Sequence, residues 1–154
     1  MSQTAPRRNS SCLVLGYDRT DSARLAVAWA ARQLQPDGKL VIVHACRPQH
    51  APPSALSTAE ERRELGRALI DELLLEDTDS LLDIDIESDI SDHDPVTALI
   101  DAANRHGAQG IVVGHENHSP LHRALGTVTS GLLNTSPVPV ITVPSTARNN
   151  GAES

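Results

Sequence analysis

The segment "VVGHENHSPLHRALGTVTSGLL", residues 112–133, gathers more chemically capable side chains than any other stretch of the chain. An apolar run ends at Gly114. A polar stretch with His115, Glu116, His118 and His122 follows, and Gly126-Thr127-Val128-Thr129 opens a helical pattern. Glycines let a backbone approach an anion closely and adopt positive φ. The first N–H groups of a helix, aided by its dipole, point at such an anion, and Thr127 and Thr129 add hydroxyl donors. The same residues also suit a plain strand-to-helix connection with two turn glycines. Zinc is a second chemistry for the histidines and Glu116. The segment holds no Cys and no H-E-x-x-H spacing, so no metal site is expected. Solvated imidazoles beside an anion are the simpler reading, since partial protonation favours that anion.

A second candidate is Asp18, at the end of the apolar run "CLVLGY". Its carboxylate can accept from a ribose hydroxyl or the exocyclic amine of a base, or help hold a metal. It can equally be a turn or helix-capping Asp within "DRTDS". His44, inside "KLVIVHA", reads as a hydrogen-bonded core residue rather than a ligand.

The elements that must position these groups alternate along the chain. "CLVLGY" (12–17), "KLVIVHA" (39–45) and "GIVVG" (110–114) are continuous apolar runs, expected as strands buried on both faces. "LLDIDIESDI" (81–90) alternates, with Leu82, Ile84 and Ile86 opposite Asp83, Asp85 and Glu87, and reads as a half-exposed strand. "VPVITVP" (138–144) is a final strand, and its Pro139, which cannot donate to a ladder, assigns it to an edge.

Between the strands lie helical patterns. Residues 21–35 have Asp21 as N-cap and Leu25, Trp29 and Leu34 on an inner face. Residues 58–77 have a Thr58–Glu61 capping box and Leu65, Leu69 and Leu73 in register. Residues 94–107 start at Asp94-Pro95 and stop at Gly107, and residues 126–136 form the last helix. Strands alternating with helices imply a parallel sheet built from right-handed crossovers. Solidly apolar central strands and compromised edges give the order 3-2-1-4-5, a five-stranded doubly wound α/β sheet with helices on both faces. Its winding reverses between strands 1 and 4, and ligands of such sheets bind outside the strands' carboxyl ends at that reversal. Both candidate segments begin there.

The totals narrow the function. The 154 residues suit one domain, expected over 11–145 between small polar ends, 1–10 and 146–154. A net charge of −7 argues against nucleic-acid binding, and with only Trp29 and Tyr17 a base-stacking platform is not expected. Cys12 and Cys46 fall too far apart for a disulfide in this arrangement, which implies reduced thiols and a cytoplasmic address. No signal peptide or membrane-length apolar run occurs, so no membrane partner is expected. Walker, G-x-G-x-x-G and G-x-S-x-G patterns are absent, and no catalytic residue is assigned.

"LVLGYD", "LVIVHA", "VVGHENHSPLHRALGTVT" and "SPVPVITVP" together resemble the universal stress protein family over residues 11–144. The resemblance implies the α/β order just derived, a bound ATP in many members (with Mg as its accompanying ion), and two-fold pairing through the last strand. The nucleotide-binding members carry Gly, two residues, Gly, nine residues, then Gly with Ser or Thr. Gly114 matches the first glycine and Gly126-Thr127 the last pair. By the same resemblance Asp18, Ala45 and Val113 fall on positions around the base and ribose, and Val128 and Thr129 follow the last pair. Asn117 replaces the second glycine, and eight residues rather than nine separate it from Gly126. Asn tolerates left-handed backbone well, so an anion-holding turn is compatible with the change.

The functional expectation is an ATP-binding stress-response or regulatory module. The alternatives are an ATP-independent interaction module of the same fold, or slow ATP hydrolysis using Asp18 or Glu116. The expected assembly is a homodimer through Val138, Val140, Ile141, Thr142 and Val143, whose apolar edge needs covering.

Overall fold

Short runs of Val, Ile and Leu pair side by side because their branched side chains fit a pleated surface buried on both faces. The computed structural model describes residues 11–46, 58–116 and 126–145. Its strands are β1 (Cys12–Gly16), β2 (Lys39–Ala45), β3 (Asp85–Ser91), β4 (Gly110–His115) and β5 (Val140–Pro144), and its helices are α1 (Asp21–Leu34), α2 (Ala59–Glu76), α3 (Pro95–His106) and α4 (Thr127–Thr135). All strand pairs are parallel, in the order β3-β2-β1-β4-β5. The expected α/β architecture and strand order are those observed. The ends 1–10 and 146–154 and the loop residues Asn117, His118 and His122 lie outside the described residues.

Alternation along each strand sends side chains to two cores. Leu15, Leu40, Ile42, Val112 and Val143 pack with α1 and α2 on one face. Val14, Val41, Val43, Ile111 and Val113 pack with α3 and α4 on the other. Cys12 and Cys46 are buried free thiols, and burial raises the pKa of both. Among the described residues no helix is long and apolar enough to cross a membrane.

Several local expectations are corrected. The N-cap of α1 is Thr20, whose hydroxyl accepts from the Ala23 amide at 3.2 Å, and Asp21 is instead the first helical residue. The buried face of α1 is an alanine row (Ala23, Ala26, Ala30) with Val27 and Leu34, while Leu25 and Trp29 are only half-buried. Small side chains let this helix sit close to the sheet. The inner face of α2 is Gly66, Ile70 and Leu73, with Leu65 64% exposed. The third strand starts at Asp85, four residues later than expected. Asp85 pairs with Lys39, the first residue of β2, so Leu81–Ile84 run past the end of the sheet and meet the α1–β2 turn instead, the Asp37 amide donating to the Asp83 carbonyl at 2.8 Å. Asp83 turns there at φ 69° and Leu82 is exposed. Similarly, β5 begins at Val140. Pro139 precedes it, and its carbonyl accepts from the Ile111 amide at 2.9 Å. The strand is an edge nonetheless.

Candidate functional site

β1 and β4 pair only through Leu13–Gly110, Val14–Ile111 and Leu15–Val112. Beyond that register the chain leaves β1 toward α1 on one face and leaves β4 toward α4 on the other, so a crevice opens at the strands' carboxyl ends. A cleft of about 150 Å³ lies there. Gly16, Tyr17 and Asp18 line it from the end of β1, and Val43, His44 and Ala45 from the end of β2. Val113 and Gly114 of β4, Pro95 and Leu99 of α3, and Val128 and Thr129 of α4 complete the wall.

Six expected site residues are therefore brought together: Asp18, Ala45, Val113, Gly114, Val128 and Thr129. Gly126 and Thr127 do not line the cleft; they are exposed at the head of α4, within one turn of Thr129. Asn117 lies outside the described residues. Sequence reasoning did not assign Pro95 or Leu99. They sit on a helix remote in the chain, and only the packing of α3 against β1 and β2 brings them to the cleft.

The two glycines of the segment do different work. A Cβ at Gly114 would lie 2.5 Å from Ser22 C and Oγ and 2.6 Å from Ala23 N, so the backbone of α1 fills that space. Gly114 is thus required by helix–strand packing. At Gly126 an added Cβ meets nothing within 4 Å, and its φ of −60° is ordinary. Neither turn geometry nor a neighbour among the described residues demands glycine there.

Helix starts around the site also differ. Thr20, Thr58 and Asp94 each cap their helix with a side-chain oxygen. Gly126 offers α4 no such acceptor. The first N–H groups of a helix have no partner within it, so the head of α4 is the one helix start among the described residues without a side-chain cap. The start of α1 is also occupied from outside. The Glu116 carboxylate accepts the Ser22 amide at 3.0 Å, across 94 residues of sequence. Glu116 thereby ties the root of the β4–α4 connection to α1.

Asp18 is partly committed. Thr20 donates its amide (3.1 Å) and its hydroxyl (2.6 Å) to Asp18 Oδ1, which fixes the turn between β1 and α1. The turn role and the ligand role considered for Asp18 are compatible, because both bonds fall on one oxygen. His44 Nδ1 donates to the Tyr17 carbonyl at 3.0 Å, as the hydrogen-bonded reading expected, but the residue is half-buried and lines the cleft rather than sitting in the core. Among the described residues no group of three or more His, Cys, Asp or Glu could hold a metal.

A parallel sheet whose winding reverses between β1 and β4, with a cleft at that switch point and beside it a helix start without a side-chain cap, defines a doubly wound α/β module. The profile of the Universal stress protein family matches residues 12–144, and the chain belongs to that family. Among solved structures it is similar to a universal stress protein in complex with cAMP, at 27% identity and a TM-score of 0.57, covering 88% of this chain and 98% of the other. It also resembles the universal stress protein from Archaeoglobus fulgidus, at 19% identity and a TM-score of 0.64, covering 86% and 98%. A complex of an Archaeoglobus fulgidus universal stress protein with dAMP is similar at 18% identity and a TM-score of 0.60, covering 86% and 97%. No curated protein sequence matches the chain.

Proposed function

We propose that the chain is an ATP-binding regulatory module of the universal stress type, with the nucleotide at the switch point between β1 and β4. The base and ribose would lie against Asp18, Ala45, Val113 and Gly114. The phosphates would meet the amides and hydroxyls of Gly126, Thr127, Val128 and Thr129, with Asn117 close by, and Mg would accompany them. The observation that carries this reading is the start of α4, which lacks a side-chain cap and is headed by a glycine that neither φ nor packing among the described residues requires. An anion there would satisfy the open N–H groups and the helix dipole together. Similar proteins bound to cAMP and dAMP support an adenine nucleotide as the class of ligand. The nucleotide would act by favouring one shape or assembly over another rather than by being consumed.

A second reading, an ATP-independent interaction module, is favoured by one feature. The cleft of about 150 Å³ is smaller than the roughly 300–1,000 Å³ of ordinary small-molecule pockets. Such a cleft accepts a base and leaves the phosphates on the surface over α4.

Two measurements separate the readings. The purified protein is heat-denatured and its supernatant assayed for released nucleotide, and ATP is titrated calorimetrically into wild type and Thr127→Ala. A hydrogen bond to a charged group contributes ~1.5–3 kcal/mol, so Thr127→Ala should weaken ATP by about tenfold or more. Wild-type protein with an intact circular dichroism spectrum that ignores millimolar ATP would rule out the nucleotide reading and leave the interaction module.

A further inference from the structure

Among the described residues three other than glycine adopt positive φ: Arg19 at 70°, Asp37 at 69° and Asp83 at 69°. Asp visits this left-handed region comparatively readily because its short polar side chain bonds locally. Arg has no such compensation, so Arg19 is the outlier. It is also the one of the three at the switch point, directly after Asp18 and before the α1 cap, Thr20. The two bonds from Thr20 to Asp18 Oδ1 close a turn around residue 19 and hold the strained conformation.

Among the described residues nothing explains an Arg in that place. Its side chain is exposed, and it makes no ion pair or hydrogen bond among the described residues. By contrast Arg24, Arg63 and Arg105 each pair with a carboxylate. Strain retained without an internal return points to a role toward a ligand. The cleft lacks the charge that such a role would supply. Its lining includes Asp18 and no Lys or Arg, in a chain of net charge −7. A nucleotide whose base enters this cleft carries its phosphates to a rim for which the lining supplies no Lys or Arg, and a cation there would offset their charge.

The geometry points to Arg19 as the residue that makes the site select phosphorylated ligands over the nucleoside, by pairing its guanidinium with a nucleotide phosphate. This rests on the nucleotide reading above. A guanidinium suits the task because it stays charged and offers phosphate a planar fork of donors.

The test uses Arg19→Gly, Arg19→Lys and wild type, each titrated with ATP and with adenosine, alongside thermal melts without ligand. Glycine removes the left-handed strain, so ligand-free Arg19→Gly should keep its melting midpoint or gain up to about 3 °C. The same variant should bind ATP about tenfold more weakly and adenosine within about twofold of wild type. Arg19→Lys should recover part of the ATP affinity, because it restores charge without the fork. If Arg19→Gly binds ATP as tightly as wild type, Arg19 has no phosphate role and the nucleotide reading stands. Equal losses for ATP and adenosine, or a lowered midpoint, would assign Arg19 to shaping the turn and overturn the proposal. Wild type that binds neither ligand would overturn both.

Discussion

At the scale of single residues, Gly114 and Gly126 look alike in the sequence and stand in opposite circumstances. The α1 backbone lies 2.5–2.6 Å from where a Cβ at Gly114 would be, and backbone cannot swing aside as a side-chain tip can. Gly114→Ala should therefore destabilise the fold by about 1–3 kcal/mol or more, the usual cost of overpacking, read by chemical denaturation. Gly126→Ala adds a methyl to open space at an ordinary φ, so its denaturation curve should stay near that of wild type. If the phosphates sit on α4, that same methyl intrudes on them and Gly126→Ala should weaken ATP in calorimetry. A stable Gly114→Ala, or a Gly126→Ala that unfolds early, would reverse these assignments.

At the scale of elements, α3 is defined most completely by its ends. Asp94 accepts from the Thr97 amide at 3.1 Å and from its hydroxyl at 2.7 Å, Pro95 follows at the first turn, and Gly107 closes the helix at φ 60°. The Thr97 hydroxyl and amide hold the Asp94 carboxyl below the usual carboxylate range. A group with a depressed folded-state pKa stabilises fully above its unfolded value, about pH 4 for Asp, and loses that contribution as pH falls through the lower folded value. Asp94→Ala should cost about 1 kcal/mol at neutral pH, as losing an N-cap does. It should also flatten the acid limb of the stability curve relative to wild type, measured by urea denaturation from neutral pH downward. An unchanged acid limb would show that the cap is not linked to protonation. Because α3 supplies Pro95 and Leu99 to the cleft, a frayed α3 start should also loosen the ligand site.

At the scale of the whole molecule, the sheet has two unlike edges. β3, "DIESDIS", carries Asp85, Glu87 and Asp89, charges of the kind that discourage edge-to-edge pairing. β5, "VITVP", carries none, and Val140 and Ile141 on it and Val138 just before it are half-buried in the single chain. We expect β5 to be the covered edge, in a two-fold dimer in which residues 138–143 meet their symmetry mates and both edges are closed at once. Light scattering at micromolar concentrations should give twice the mass of the chain. Thr142→Lys, an exposed position on β5, should shift it toward monomer without loss of helical signal. A wild-type monomer, or a dimer indifferent to Thr142→Lys, would assign the interface elsewhere.

What the sequence determined by itself is what local pattern and composition control. Apolar runs against amphipathic runs identified every strand and helix among the described residues. Charge on one strand and proline beside another separated edges from centre, and the order 3-2-1-4-5, which satisfies both, put the crevice between β1 and β4. Stops set by a partner were not legible. Leu81–Ile84 alternate like a strand yet lie past the end of β2, and Leu65 has the spacing of an inner face yet points outward because Gly66 and Ile70 fit against the sheet. The roles of the site residues divide the same way. Asp18, Gly114 and the Gly126–Thr129 segment could be named from residue type and position. That Gly114 serves the close approach of α1, that Glu116 seats on Ser22, and that Leu99 walls the cleft depend on contacts between segments tens of residues apart. The left-handed turn at Arg19 belongs with them. Residue type argues against that conformation, and it exists because the Asp18–Thr20 hydrogen bonds and the seating of α1 on β4 hold it.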